Sequence, residues 1–158
     1  MRTSKGFSLI ELLIVVAIIL IIAAIAVPSF LRSRISANES AAVAALRTVN
    51  SAEITYNSAY PTVGFASTLG ALGGTNCSPP DSTGACLIDT VLATGQRSGY
   101  SFQLTNVSGT PASSYMVIAS PITWNYSGMN YFCSFADAVI RVSPSAITSC
   151  DGTVPPQN

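Results

Sequence analysis

Residues 7–31 form the longest apolar stretch of the chain. Ser8, Glu11 and Ser29 are its only polar members, and 12–27 contains none. A helix with no polar face is buried in a membrane or in the centre of a bundle. As a helix, 7–31 would be about 37 Å long, enough to cross a hydrocarbon core of about 30 Å. Pro28 lies near its end. A proline inside a helix removes one donor and crowds the carbonyl four residues back, here Ala24, so a kink or local opening is expected.

The pattern changes after Leu31. Ala42, Ala45, Leu46, Val49, Ala52 and Tyr56 recur at spacings of three and four, the period of one helix face. Arg32, Arg34, Asn38, Glu39, Arg47, Asn50 and Glu53 are assigned largely to the other face. Residues 32–60 are therefore predicted as the amphipathic half of one helix, closed by Pro61. Together, 7–60 would make a rod of about 80 Å. Residues 61–98 are rich in Gly, Pro and Ser and read as a connecting region. It holds a short helical turn at 68–72 and a helical face of Leu87, Ile88, Val91 and Leu92 that stops at Gly95.

From Gly99 the period becomes two: Tyr100, Phe102 and Leu104 alternate with Ser101, Gln103 and Thr105. Further strands are predicted at 115–120, 131–135 and 138–142, the last two joined tightly around Asp137. The expected fold is α+β. A long N-terminal helical spine packs its amphipathic half under a small antiparallel sheet in the head.

Composition sharpens this picture. Charged residues are 9% of the 158 positions, against about 25% in ordinary soluble domains. The apolar excess lies in the N-terminal block, which leaves a weakly charged head rich in Ser, Thr, Ala and Gly. Seven basic and seven acidic residues cancel. With no basic patch, no nucleic-acid partner is predicted. There is no histidine, which removes the commonest general base and metal ligand. The acidic residues are scattered without a close pair, no serine sits in a G-x-S-x-G turn, and the glycines at 70, 73 and 74 lack the lysine of a phosphate loop. No catalytic residue, cofactor or metal is predicted. Asp81, Asp89, Asp137 and Asp151 would hold calcium only if the fold gathered them.

All four cysteines follow the apolar block. An even number, with no C-x-x-C pair, reads as disulfides formed in an oxidising compartment. Of the three connectivities, Cys77–Cys86 with Cys133–Cys150 is favoured. The first would staple a turn-rich loop and the second would tie down the C-terminal segment. Each is worth about 2–4 kcal/mol.

Three readings compete for residues 1–31. A secretory signal peptide would use Arg2 and Lys5 as its basic start and Ala24-Ile25-Ala26 as its cleavage site, but the apolar run is too long for one. A plain membrane anchor is the second. The third rests on Gly6-Phe7-Ser8-Leu9-Ile10-Glu11. With the short basic leader, the apolar run and Pro28, this stretch resembles the processing site of type IV pilins and the related pseudopilins.

The resemblance implies cleavage between Gly6 and Phe7, N-methylation of Phe7, and retention of the apolar helix in the mature chain. It implies an assembly role for Glu11, pairing with the N-terminal amine of an adjacent subunit, and a helix bent or locally opened near Pro28. Opposite unit charges about 4 Å apart interact by roughly 4 kcal/mol at an effective dielectric near 20, before desolvation is subtracted. The implied organisation is a leader at 1–6, a transmembrane or filament-core helix at 7–31, the amphipathic half at 32–60, and a pilin-like head at 61–158. The head divides into a connecting loop at 61–98 and a sheet with the C-terminal disulfide region at 99–158.

The expected function is that of a structural subunit, not an enzyme, which homopolymerises into a type IV pilus-like filament. The implied partners are a prepilin peptidase, an inner-membrane assembly platform and motor, and the membrane before assembly. The chain would lie in a bacterial inner membrane as a precursor and then on the cell surface. The alternatives are a periplasmic pseudopilus of a type II secretion system and, from another class, a singly anchored or secreted binding protein.

Overall fold

The computed structural model describes residues 6–74, 77 and 79–157. Of the expected leader, Arg2 and Lys5 therefore lie outside the described residues. The chain divides into two compact units, Met1–Arg34 and Ile35–Asn158. A helix, α1 (Leu9–Ala59), contributes to both. In the first unit its side chains are almost all exposed, and they are treated below with the site they form.

In the second unit, α1 is rich in alanine over 41–46, which favours helix without crowding a neighbour. Ala42, Ala45, Leu46, Val49, Ala52 and Tyr56 are buried. Asn50 and Glu53, expected on the opposite face, are buried with them, at 4% and 0% exposure. The cause is a set of partners distant in sequence. Asn50 Nδ2 donates to Ser134 Oγ at 2.9 Å and to the Ala138 carbonyl at 3.2 Å, while its Oδ1 accepts from the Tyr115 hydroxyl at 3.1 Å. Glu53 Oε2 accepts from the Ala66 N–H at 2.8 Å.

Two one-turn helices follow. Thr68 caps α2 (Leu69–Leu72) by accepting from the Ala71 N–H. Asp89 caps α3 (Thr90–Ala93) by accepting from the Leu92 N–H. The helical face expected from Leu87 onward is thus shorter than its period suggests. The N–H groups of Leu87 and Ile88 are held by the Leu72 carbonyl, so helix starts only after the Asp89 cap.

The sheet is an antiparallel meander of five strands in chain order: β1 (Gln96–Arg97), β2 (Tyr100–Gly109), β3 (Ala112–Pro121), β4 (Tyr131–Phe135) and β5 (Arg141–Ser143). β1 was not foreseen, because two residues show no period. The Ser98-Gly99 turn after it creates it, with φ of +48° and +77° at the two positions, the sign that a tight hairpin demands. β5 begins at Arg141, three residues later than expected. Ala138 has φ of +59°, and Asp137 accepts from the Val139 N–H while pairing with Arg141 at 2.6 Å, so 138–140 bend around this ion pair.

β3 is buried on both faces. Tyr115, Val117 and Ala119 join Phe102, Phe132 and α1 in the main core. Met116 and Ile118 join Cys133 and Cys150 in a second cluster, closed by Phe135 of β4 and by Ile147 and Val154 from the C-terminal segment. The fully buried tyrosines each spend their hydroxyl on an acceptor, as burial requires: Tyr56 on the Ser82 carbonyl, Tyr100 on the Asn130 carbonyl, Tyr115 on Asn50.

Glu53 is the costly residue of this core. Its Oε1 has no hydrogen-bond partner. Desolvation pushes its pKa from 4.5 up to about 7, against the bond from Ala66, which lowers it. Between these values the folded chain holds a proton that the unfolded chain has lost, so stability falls as pH rises. Above pH 7 the penalty levels off at about 3 kcal/mol. Asp81, Asp89 and Asp151 are held below their ordinary 3.8 chiefly by hydrogen bonds, and Asp137 is held below it, against desolvation that raises it, by Arg141 and the Val139 N–H, so the stability these groups lend is lost only at lower pH. The melting midpoint of the full chain in detergent should therefore drop as pH is raised from 5 to 8. Glu53→Gln should flatten that slope; an unchanged slope in the variant would assign it to another group.

Candidate processing and assembly site

Gly6, Phe7 and Ser8 precede the first helical residue, Leu9. Nothing lies within 4 Å of where a Cβ on Gly6 would be, and Phe7 is 79% exposed. The Gly6–Phe7 peptide bond is thus presented in an open, non-helical segment, the form a peptidase can bind.

Glu11 sits in the first turn of α1. Its Oε2 accepts from the Ser8 N–H at 2.9 Å. Ser8 stands just before the helix and Glu11 is its third residue, so this is the carboxylate half of a capping box. The negative group also lies where the helix dipole favours it, for about 0.3–1 kcal/mol. The Ser8-x-x-Glu11 spacing is visible in the sequence, and weighing Glu11 only as a buried charge overlooks it.

Beyond Glu11 the helix offers nothing polar until Ser29. Leu12, Ile14, Ile18, Ile22, Ile25 and Phe30 are each more than half exposed. Exposed apolar surface on this scale marks a membrane or protein contact. Among the described residues one helix is long and apolar enough to cross a membrane, with a mean hydropathy of 3.3 over its best stretch. Pro28 lies inside α1, where the helical assignment continues through it.

The cysteines are joined as Cys77–Cys86 and Cys133–Cys150, with Cα separations of 5.8 and 6.0 Å. The second bond ties the C-terminal segment to β4, and the same segment pairs along β5, where Val142 N–H donates to the Pro155 carbonyl and Gln157 N–H to the Ile140 carbonyl. The four aspartates are spread over separate local tasks. Asp81 and Asp151 hold tight turns at Thr83 and Thr153, Asp89 caps α3 and pairs with Arg97 at 2.7 Å, and Asp137 pairs with Arg141. No group of three or more Cys, Asp or Glu that could hold a metal occurs among the described residues.

The family model described as the prokaryotic N-terminal methylation motif matches residues 1–27. The chain carries a prepilin-type N-terminus. It is also similar to the type IV wide pilus major component PilA4 of Thermus thermophilus, with 54% identity over 46 residues. That match covers 29% of this chain and 35% of PilA4, so the chain spans about a third of the relative's length. No solved structure matches at a comparable level. The residues matched by the methylation motif include Gly6, Phe7, Ser8 and Glu11.

The cap and the charge of Glu11 can be separated. Glu11→Ala should remove the acceptor for Ser8, at about 1 kcal/mol, and so speed amide exchange in the first turn about fivefold. Glu11→Gln keeps an acceptor and loses only the charge at the helix start, so its rate should fall between the other two. Hydrogen exchange of the full chain in micelles measures both. Equal rates in all three proteins would show that the bond contributes nothing.

Proposed function

We propose that this chain is the structural subunit of a type IV pilus-like filament. The observation that carries the reading is the conjunction of a methylation motif with a helix whose apolar surface is exposed on every side over 12–27. A peptidase cuts between Gly6 and Phe7, the new amine on Phe7 is methylated, and the subunit waits in the inner membrane. An assembly platform and motor then draw it into a polymer of identical chains. Lipid and filament core are both apolar, so the transfer exposes little hydrophobic surface to water. Copies joined head to tail without closing a ring give an open helical assembly.

Glu11 takes a second role in this scheme. Cleavage creates an amine close to a carboxylate already placed at the helix start, and a neighbouring subunit's amine pairs with that carboxylate in the filament. Pro28 deprives the Ala24 carbonyl of its usual donor, so this turn is where α1 yields during packing.

Two measurements test the scheme. The mature chain should begin with methylated Phe7 by mass analysis; a start near Val27, or an intact Met1, would rule out the processing. In cells, both Glu11→Ala and Glu11→Gln should still enter the membrane but yield few sheared filaments by electron microscopy. Normal filaments from Glu11→Gln alone would mean that the cap matters and the charge does not. The location of filaments carrying this chain, on the surface or in the periplasm, separates a pilus from a secretion pseudopilus.

A further inference from the structure

The connection between β3 and β4 is an unusual surface. Within eight residues it carries Ile122, Trp124, Tyr126 and Met129, exposed by 54%, 58%, 50% and 46%. These tips stand on a fixed frame. Thr123 N–H donates to Ser127 Oγ, Ser127 Oγ donates back to the Thr123 carbonyl, and the Asn125 N–H donates to the Gly128 carbonyl. Gly128 lies against the Tyr100 ring so closely that a Cβ there would collide with it. The loop's own polar backbone is therefore largely spent internally or on its anchors, while its apolar side chains face outward.

The anchors are on α1. Asn38 Nδ2 donates to the Ser127 carbonyl at 2.9 Å. Glu39 Oε1 accepts from the Met129 and Asn130 N–H groups at 2.9 and 3.0 Å, and its Oε2 accepts from Asn130 Nδ2 at 3.1 Å. Asn38 and Glu39 follow Leu31, the last residue of the apolar stretch, by seven and eight positions in sequence. Even a fully extended chain of that length reaches no more than about 29 Å. A loop clamped to these two residues cannot travel far from wherever the apolar stretch is held.

Its chemistry selects lipid. No Asp, Glu, Lys or Arg occurs anywhere from 98 to 136, so no charge has to be desolvated. Trp and Tyr, with an apolar body and a polar tip, concentrate at the boundary between acyl chains and headgroups. A loop with most of its backbone N–H groups already bonded enters that boundary at lower cost than an open one. Resting on the proposal that 7–31 lie in the bilayer before assembly, we infer that the 122–129 loop is an interfacial foot. Ile122, Trp124, Tyr126 and Met129 settle among the headgroups and upper acyl chains of the outer leaflet while the subunit waits. Extraction into a filament lifts the foot out of the lipid as well as the helix.

Trp124 is the single tryptophan of the chain, so its emission reports this loop alone. The full chain is reconstituted at high lipid excess in phosphatidylcholine–phosphatidylglycerol vesicles carrying lipids brominated close to the glycerol. Emission should shift to the blue and be quenched about twofold, as for an interfacial tryptophan, with weaker quenching by lipids brominated at the chain ends. The double variant Ile122→Asn, Met129→Asn should lose most of that quenching at an unchanged melting midpoint. Chain that floats with the vesicles while Trp124 stays unquenched and open to acrylamide would overturn the foot and leave the membrane span standing. Chain that does not float would overturn both. Protection that appears only as protein density rises, without bromolipid quenching, would place the loop against a second copy and overturn the lipid contact.

Discussion

Between residues 12 and 27 the chain offers water no polar side chain, and the backbone there is already engaged in the helix. Such a surface has to be covered by lipid or by other protein. Much of the remaining sequence can be understood as fitting this constraint. Polar groups at the helix start are gathered into the turn formed by Ser8 and Glu11. Past Ile35 the same helix becomes two-sided, and its apolar side is covered by the chain's own sheet rather than left for a partner.

The head resolves a different problem, that of a small domain with few charges. Its sheet is one meander in which β3 is covered on both faces, by α1 on one side and by the C-terminal segment on the other. The outer covering has little apolar surface of its own. It is held by the Cys133–Cys150 bond and by backbone pairing to Ile140 and Val142. A covalent tie compensates for a thin hydrophobic layer.

How much of this was legible follows from what each signal depends on. The stripe from Ala42 to Tyr56 and the alternation at Tyr100, Phe102 and Leu104 are local, so the helix and the central strand could be read directly. Asn50 and Glu53 could not be placed, because whether a polar residue beside a stripe is buried depends on Ser134, Ala138 and Ala66, far along the chain. β5 was displaced for a similar reason: the Asp137–Arg141 pair redirects three residues that look like strand. At the N-terminus the motif from Gly6 to Glu11 was plain, but the hydrogen bond within it was hidden by attention to its charge. That residues 122–130 lie between two strands was legible, but the exposure of their apolar side chains was not, since it depends on the frame at Ser127 and on the anchors Asn38 and Glu39, far along the chain.

The uncharged expanse from Ser98 to Ala136 has a further consequence. Ionic strength acts on proteins by screening charges, and nearly the whole of β2, β3 and β4 presents none to screen. Contacts made by that part of the head would lose no strength to screening as salt rises, because no charge pair within it carries them. A surface of this kind trades long-range attraction and selectivity by sign for indifference to screening, and it recognises its neighbours by shape, hydrogen bonds and wetting.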